Sequence, residues 1–179
     1  MEKSRVKLAQ RGHLSPREAC VSRHPTGDSE RQPASVRVLV VDDYEPWRRW
    51  VCSELGTQRQ LQLVGEASDG LEAVRKAHEL KPDLVLVDIG LPKLNGLDVA
   101  SRIAQSNHDA KIVFLTNERE TELVKQALSN GAKGYVLKEN ATELLAAVAA
   151  VLQGGRFVSS GLAIEFDDCD CDCETIFAH

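Results

Sequence analysis

Apolar residues fall along this chain in short continuous runs separated by longer stretches in which they recur every three or four positions. The runs at Val36 to Val41, Leu61 to Ala67, Leu84 to Val87, Lys111 to Leu115 and Gly134 to Leu137 predict five strands, from their length and their β-branched and aliphatic content. The stretches between them predict helices. Pro46 suits a first helical turn and sets Trp47, Trp50, Val51 and Leu55 at helical spacing. Asp69 caps a second helix carrying Leu71, Val74, Ala77 and Leu80, which must end before Pro82. Asn95 caps a third, with Leu97, Val99, Ala100, Ile103 and Ala104 behind it. A fourth is expected from Glu118 to Ser129, stopping at Asn130 and Gly131, and a fifth from Thr142 to Leu152, stopping at Gly154. Strands that read as unbroken apolar runs are buried on both faces, so the alternation implies an α/β fold: a five-stranded parallel sheet with five helices covering both sides.

The flanks break this pattern. Residues 1–35 hold Pro16, Pro25 and Pro33 among polar and charged residues and are expected to form a disordered N-terminal extension. Residues 154–179 lose helical periodicity and turn acidic, and are expected to be a tail containing Cys169, Cys171 and Cys173. The folded unit is therefore placed at 36–153. At 179 residues, with 42% hydrophobic and 27% charged, the chain has material for one sizeable core. The net charge of -5 and only a modest positive balance in the first 35 residues argue against a nucleic-acid partner. No run of about 18 apolar residues is present and the N-terminus lacks the apolar stretch of a signal peptide, so no membrane association and a cytoplasmic location are expected. The five cysteines form no disulfide framework, and alternate cysteines do not have the spacing of a structural zinc site.

Candidate chemistry sits at the strand ends. The first strand closes on Asp42 and Asp43, the third on Asp88, the fourth on Thr116 and the fifth on Lys138. In open parallel sheets ligands bind outside the carboxyl ends of the strands, so these side chains converge on one crevice. A single aspartate after a strand is ordinarily a turn former or a helix cap. Three together repel one another unless a cation is present, and hard oxygen ligands suit Mg²⁺. Lys138 then offers a compact positive charge to phosphate oxygens, and the Thr116 hydroxyl a hydrogen bond. The first strand runs into VVDDYEPW with no glycine-rich loop, which removes a dinucleotide or ATP phosphate cradle from consideration.

VLVVDDYEPWRR, LVLVDIGLPKLNGLDVA, IVFLTNERE and GAKGYVLKENATELLAAV resemble the corresponding stretches of two-component response regulator receiver domains, over about residues 36 to 153. The resemblance implies the flavodoxin-like strand order 2-1-3-4-5. It implies that Asp42 and Asp43 are the acidic pair holding Mg²⁺, with the Gly90 backbone carbonyl as a further ligand, and that Asp88 is the phosphoacceptor nucleophile. Thr116 is then the hydroxyl that moves onto the phosphoryl group, Lys138 the phosphate-binding lysine and Tyr135 the aromatic switch. A sensor histidine kinase or a phosphotransfer protein is the expected donor, an unknown protein the downstream partner, and a phosphorylation-dependent homodimer is admitted. No enzyme with turnover is implied.

The chain departs from the family pattern at two places near the crevice. Glu139, not proline, follows Lys138, as in the nitrate-response-regulator-like subfamily, so a cis bond there is not expected. Asn117 follows Thr116 where a small residue is usual, which bears on the lifetime of a phosphorylated state. In that subfamily GGRFVS leads into a DNA-binding helix-turn-helix domain, and no recognition helix is legible in the residues that follow it here. Two other readings remain open from the residues: a transcriptional regulator truncated before its DNA-binding domain, and an aspartyl-nucleophile phosphohydrolase. The adjacency of Asp42 and Asp43, in place of a DxD pair, counts against the latter.

Overall fold

In the first strand, alternate side chains enter two different cores. The computed structural model describes residues 35–162 and 175–177. Strand β1 (Val36–Val41) sends Leu39 and Val41 to one side of the sheet and Val38 and Val40 to the other, as period-two geometry requires. On the first side they meet helices α2 (Gly70–Leu80), α3 (Gly96–Ser106) and α4 (Thr121–Ser129), through Ala73, Ala77, Val99, Ile103 and Val124. On the second side lie α1 (Glu45–Gly56) and α5 (Leu144–Leu152), through Val51, Leu55, Leu144, Ala147 and Val148. With both faces covered, β3 (Leu84–Val87) and β5 (Gly134–Leu137) are buried at every position.

Strands β2 (Leu61–Ala67), β4 (Lys111–Thr116), β6 (Arg156–Val158) and β7 (Thr175–Phe177) complete the sheet, whose order is β2-β1-β3-β4-β5-β6-β7 with every described pairing parallel. The expected order 2-1-3-4-5 is present. The expected number of strands is not: the sheet continues past β5 with β6 and β7. Strand β6 lies in the stretch assigned to the acidic tail. Its apolar content is only Phe157 and Val158, too short a signal to separate from a loop, yet both are about 1% exposed and pair alongside Gly134 and Tyr135. At Gly134 itself a Cβ would press on Val113 and Val151, so β4 and α5 close over this end of β5.

The helix starts follow the caps read from sequence. Asp69 accepts from the Glu72 amide at 2.9 Å and Asn95 from the Asp98 amide at 2.8 Å. Helix α4 begins at Thr121, later than the expected Glu118, because residues 117–120 form the loop beyond β4. A 3-10 turn over Lys138–Glu143 likewise delays α5 to Leu144. No helix among the described residues is long and apolar enough to cross a membrane. The N-terminal extension and the Cys169, Cys171 and Cys173 segment lie outside the described residues.

If β6 belongs to the folded unit, Phe157→Ala should cost about 3–5 kcal/mol, the range for emptying a buried aromatic site. Urea unfolding checks this, and a loss below about 1 kcal/mol, the size of an ordinary surface change, would return residues 156–158 to a tail.

Candidate functional site

Parallel strands present their last residues along one edge of the sheet, and this places the acidic groups together. One carboxylate oxygen from each of Asp42, Asp43 and Asp88 lies within 4.8 Å of the others. Asp42 and Asp88 are buried, while Asp43 is exposed. From the end of β5, the Lys138 ammonium reaches between the two buried carboxylates, 2.7 Å from Asp42 Oδ2 and 2.9 Å from Asp88 Oδ2. Asp43, Asp88 and Lys138 border an open crevice of about 450 Å³ whose wall also includes Tyr44, Trp47, Asn117 and Glu139.

The charges are balanced only in part. Burial pushes the Asp42 carboxyl above the usual range, more strongly than its hydrogen bond and attraction to Lys138 pull it down, and the neighbouring Asp88 adds to the rise. Burial alone would depress Lys138, but hydrogen bonds first to Asp42 and then to Asp88 outweigh it and hold the ammonium above its ordinary value. The site therefore carries an ion pair plus surplus negative charge, a donor set of hard oxygens that fits a divalent cation such as Mg²⁺.

Backbone contacts fix the two loops that carry the carboxylates. The Tyr44 amide donates to Asp42 Oδ1 at 3.0 Å, and Arg48 donates to the Asp42 carbonyl at 2.6 Å while also bonding Glu66 on β2. Beyond Asp88, Ile89 and Leu91 turn into the core and leave Gly90 exposed between them. A Cβ on Gly90 would sit 3.8 Å from Asp88 Oδ2, so this backbone runs beside the carboxylate. Gly96 closes the loop. A Cβ there would come within 2.0 Å of the Asp88 carbonyl oxygen, a contact no side chain can make.

Thr116 and Tyr135 form a second cluster. Thr116 is buried at the end of β4 and its hydroxyl oxygen accepts from the Glu118 amide at 3.2 Å. Tyr135 is fully buried, packs against Phe114, and donates its hydroxyl to the Glu118 carbonyl at 2.9 Å. Burial, with the nearby Glu118 and Asp88 charges adding to it, pushes the phenol well above its ordinary range, so it remains a donor. Both residues thus grip opposite ends of one residue in the loop after β4. Asp43, Asp88 and Lys138 line the crevice, Asp42 bonds Lys138, and the Gly90 backbone runs beside Asp88; Thr116 and Tyr135 connect to it through that loop.

Trp47, read from sequence as helix packing, does pack against the core with Trp50, their rings 4.7 Å apart, and it also walls the crevice, with the Lys138 ammonium 5.9 Å from its ring centre. Its position in the first turn of α1 was the available signal, because helical side chains point back toward the helix N-terminus and hence toward Asp43. Glu139 lines the crevice and pairs with Arg119 from the loop after β4. His78 and His108 are exposed.

Because Asp42 is held charged against its burial cost, Asp42→Asn should raise the melting temperature of the metal-free protein at pH 7. Wild-type Asp42 is protonated below its raised folded value, so the advantage should shrink as pH falls into the acid range. Thermal melts at pH 7 and pH 4 check both the sign and the trend; a destabilised Asp42→Asn protein at pH 7 contradicts them.

Comparison with known proteins agrees with this geometry. Residues 38–149 match the family described as "Response regulator receiver domain". The chain is 37% identical over 129 residues to the response regulator GacA of Pseudomonas viridiflava, covering 72% of this chain and 60% of that protein. It is likewise 37% identical to the response regulator VraR of Staphylococcus epidermidis, over 67% of this chain and 58% of the relative. The receiver domain of the putative response regulator NarL from Mycobacterium tuberculosis superposes with a TM-score of 0.64 at 32% identity, covering 68% of this chain and 99% of that one. The chain thus spans about 60% of the length of the curated relatives it matches, and its β1 to α5 unit with the acidic crevice belongs to the response regulator receiver domain family.

Proposed function

We propose that the crevice is a phosphoacceptor site in which Asp88 takes a phosphoryl group from a phosphohistidine donor, a sensor histidine kinase or a phosphotransfer protein. The observation that carries this is the Asp88 carboxylate facing the crevice, 2.9 Å from the Lys138 ammonium and clustered with Asp42 and Asp43. An Asp88 oxygen attacks phosphorus, the phosphorus–nitrogen bond breaks, and the imidazole leaves, giving an aspartyl phosphate. Lys138, already at hydrogen-bond distance, supplies positive charge to the phosphoryl oxygens as they arrive, which is the main service such a transfer requires. Asp42, Asp43, Asp88 and the Gly90 carbonyl would hold Mg²⁺. When bound, that ion neutralises the surplus negative charge and orients the phosphoryl oxygens.

The readout rests on the loop after β4. Tyr135, the expected aromatic switch, is buried in this structure with its hydroxyl on the Glu118 carbonyl. The signal is carried by the Glu118 peptide, held at its amide by Thr116 and at its carbonyl by Tyr135. A phosphoryl group that accepts from the Thr116 O–H and draws that side chain toward itself loosens one of these two holds and moves residues 117–120, which border the crevice on one side and open α4 on the other. Contact with a downstream protein, a phosphorylation-dependent homodimer and a cytoplasmic location accord with this role.

Incubation with Mg²⁺ and acetyl phosphate should add one phosphoryl group by intact mass. Asp88→Asn should stay unmodified, and Lys138→Ala should react about 100-fold more slowly, the scale for removing one preorganised charge-stabilising donor. An unmodified wild type, or equal modification of Asp88→Asn, overturns the assignment.

A further inference from the structure

The loop after β3, which carries Gly90, is held from outside the crevice by the N-terminus of α2. Three contacts converge there. The Gly70 amide donates to the Pro92 carbonyl at 3.2 Å, and Gly70 is obligatory because a Cβ would fall 2.0 Å from the Leu94 carbonyl oxygen. Lys93 adopts φ 66, one of two left-handed non-glycine residues among the described residues. From that constrained backbone its ammonium reaches Asp69 Oδ2 at 2.5 Å. Asp69 divides its carboxylate between two tasks: Oδ1 accepts the Glu72 amide as the α2 cap, and Oδ2 takes Lys93. Its side chain is nearly buried while that of Lys93 lies over it, 12% and 59% exposed. The Lys93 hydrogen bond, with the Glu72 amide second, also holds the Asp69 carboxyl below its ordinary range, so the partner stays ionised.

A left-handed lysine costs free energy that a glycine would not, and nothing in the loop's own hydrogen bonds requires that side chain. Leu91 and Gly96 bond to Ile89, and Leu94 to Pro92, all through backbone amides. The Lys93 side chain contributes only the contact to Asp69. We infer that Asp69 and Lys93 form a latch that fixes the loop from Ile89 to Asn95 and thereby presents the Gly90 carbonyl to the cation, making both positioning residues for metal binding. This rests on the reading of the acidic cluster as a Mg²⁺ site. Such outer supports orient a ligand without touching the ion, and their loss weakens binding although every ligand remains.

Two substitutions isolate the latch. Asp69→Asn keeps an oxygen to cap α2 and removes the ion pair. Lys93→Ala removes the same pair and leaves the left-handed strain unchanged, since alanine and lysine meet the same Cβ penalty. Isothermal titration of the full chain with MgCl₂ should show each variant binding about 2- to 5-fold more weakly, the fold-change matching a partly exposed ion pair. The double variant should be no weaker than the worse single one. A long-range charge effect predicts otherwise: Lys93→Ala, which removes a positive charge, would tighten Mg²⁺ while Asp69→Asn weakened it. Opposite signs, or unchanged affinity in both variants, overturn the latch while leaving the metal site standing. Thermal melts run alongside; if Asp69→Asn unfolds, Lys93→Ala alone decides. A wild-type chain that takes up no Mg²⁺ removes the site reading itself, and the latch with it.

Discussion

Three carboxylates held within 4.8 Å of one another are the constraint around which the rest of this molecule is arranged. Left alone, such a cluster pushes itself apart or takes up protons. Here one ammonium stands between the two buried members, and its own burial cost is outweighed by its hydrogen bonds to Asp42 and then Asp88. The result is a site poised between states. It keeps enough positive charge to hold its shape and enough surplus negative charge to fit a divalent cation. Lys138 therefore holds the resting site together, and on the proposed reading the same atom would meet the incoming phosphoryl group.

The sheet makes the arrangement possible. Adjacent parallel strands β1 and β3 deliver Asp42 and Asp88 side by side, and β5 brings Lys138 across from two strands away. Full burial of β3 and β5 on both faces keeps these ends from drifting, since a slip in register would draw the charged strand ends Asp88 and Lys138 into the apolar layers. The loops are then tied down locally. Gly96 lets the backbone pass against Asp88, Arg48 holds the Asp42 carbonyl, and Gly70 admits the loop that follows β3. On the other wall, Thr116 and Tyr135 clasp Glu118 and join the crevice to α4.

Much of this was legible in the sequence because it rests on strong local signals. Unbroken apolar runs ending on Asp, Thr and Lys gave strand identity and the direction of the crevice together, and Asp69 and Asn95 announced their helices through cap chemistry. What escaped was of two kinds. Strand β6 is three residues long, and its membership depends on the space over Gly134 and Tyr135, which no periodicity encodes. The crevice roles of Trp47 and Glu139, and the pairing of Asp69 with Lys93, depend on side-chain direction and on contacts between segments far apart in the chain. Asp69 shows the limit clearly, for its capping half was readable from neighbours while its ion-pairing half was not.

Among three neighbouring carboxylates, Asp88 is the one proposed to become phosphorylated. An aspartyl phosphate is reduced by borohydride to homoserine, which marks the modified position permanently. After treatment with acetyl phosphate and Mg²⁺, reduction and peptide mass spectrometry should locate homoserine at position 88 and leave Asp42 and Asp43 unchanged. Homoserine at position 42 or 43, or at none of the three, contradicts the account.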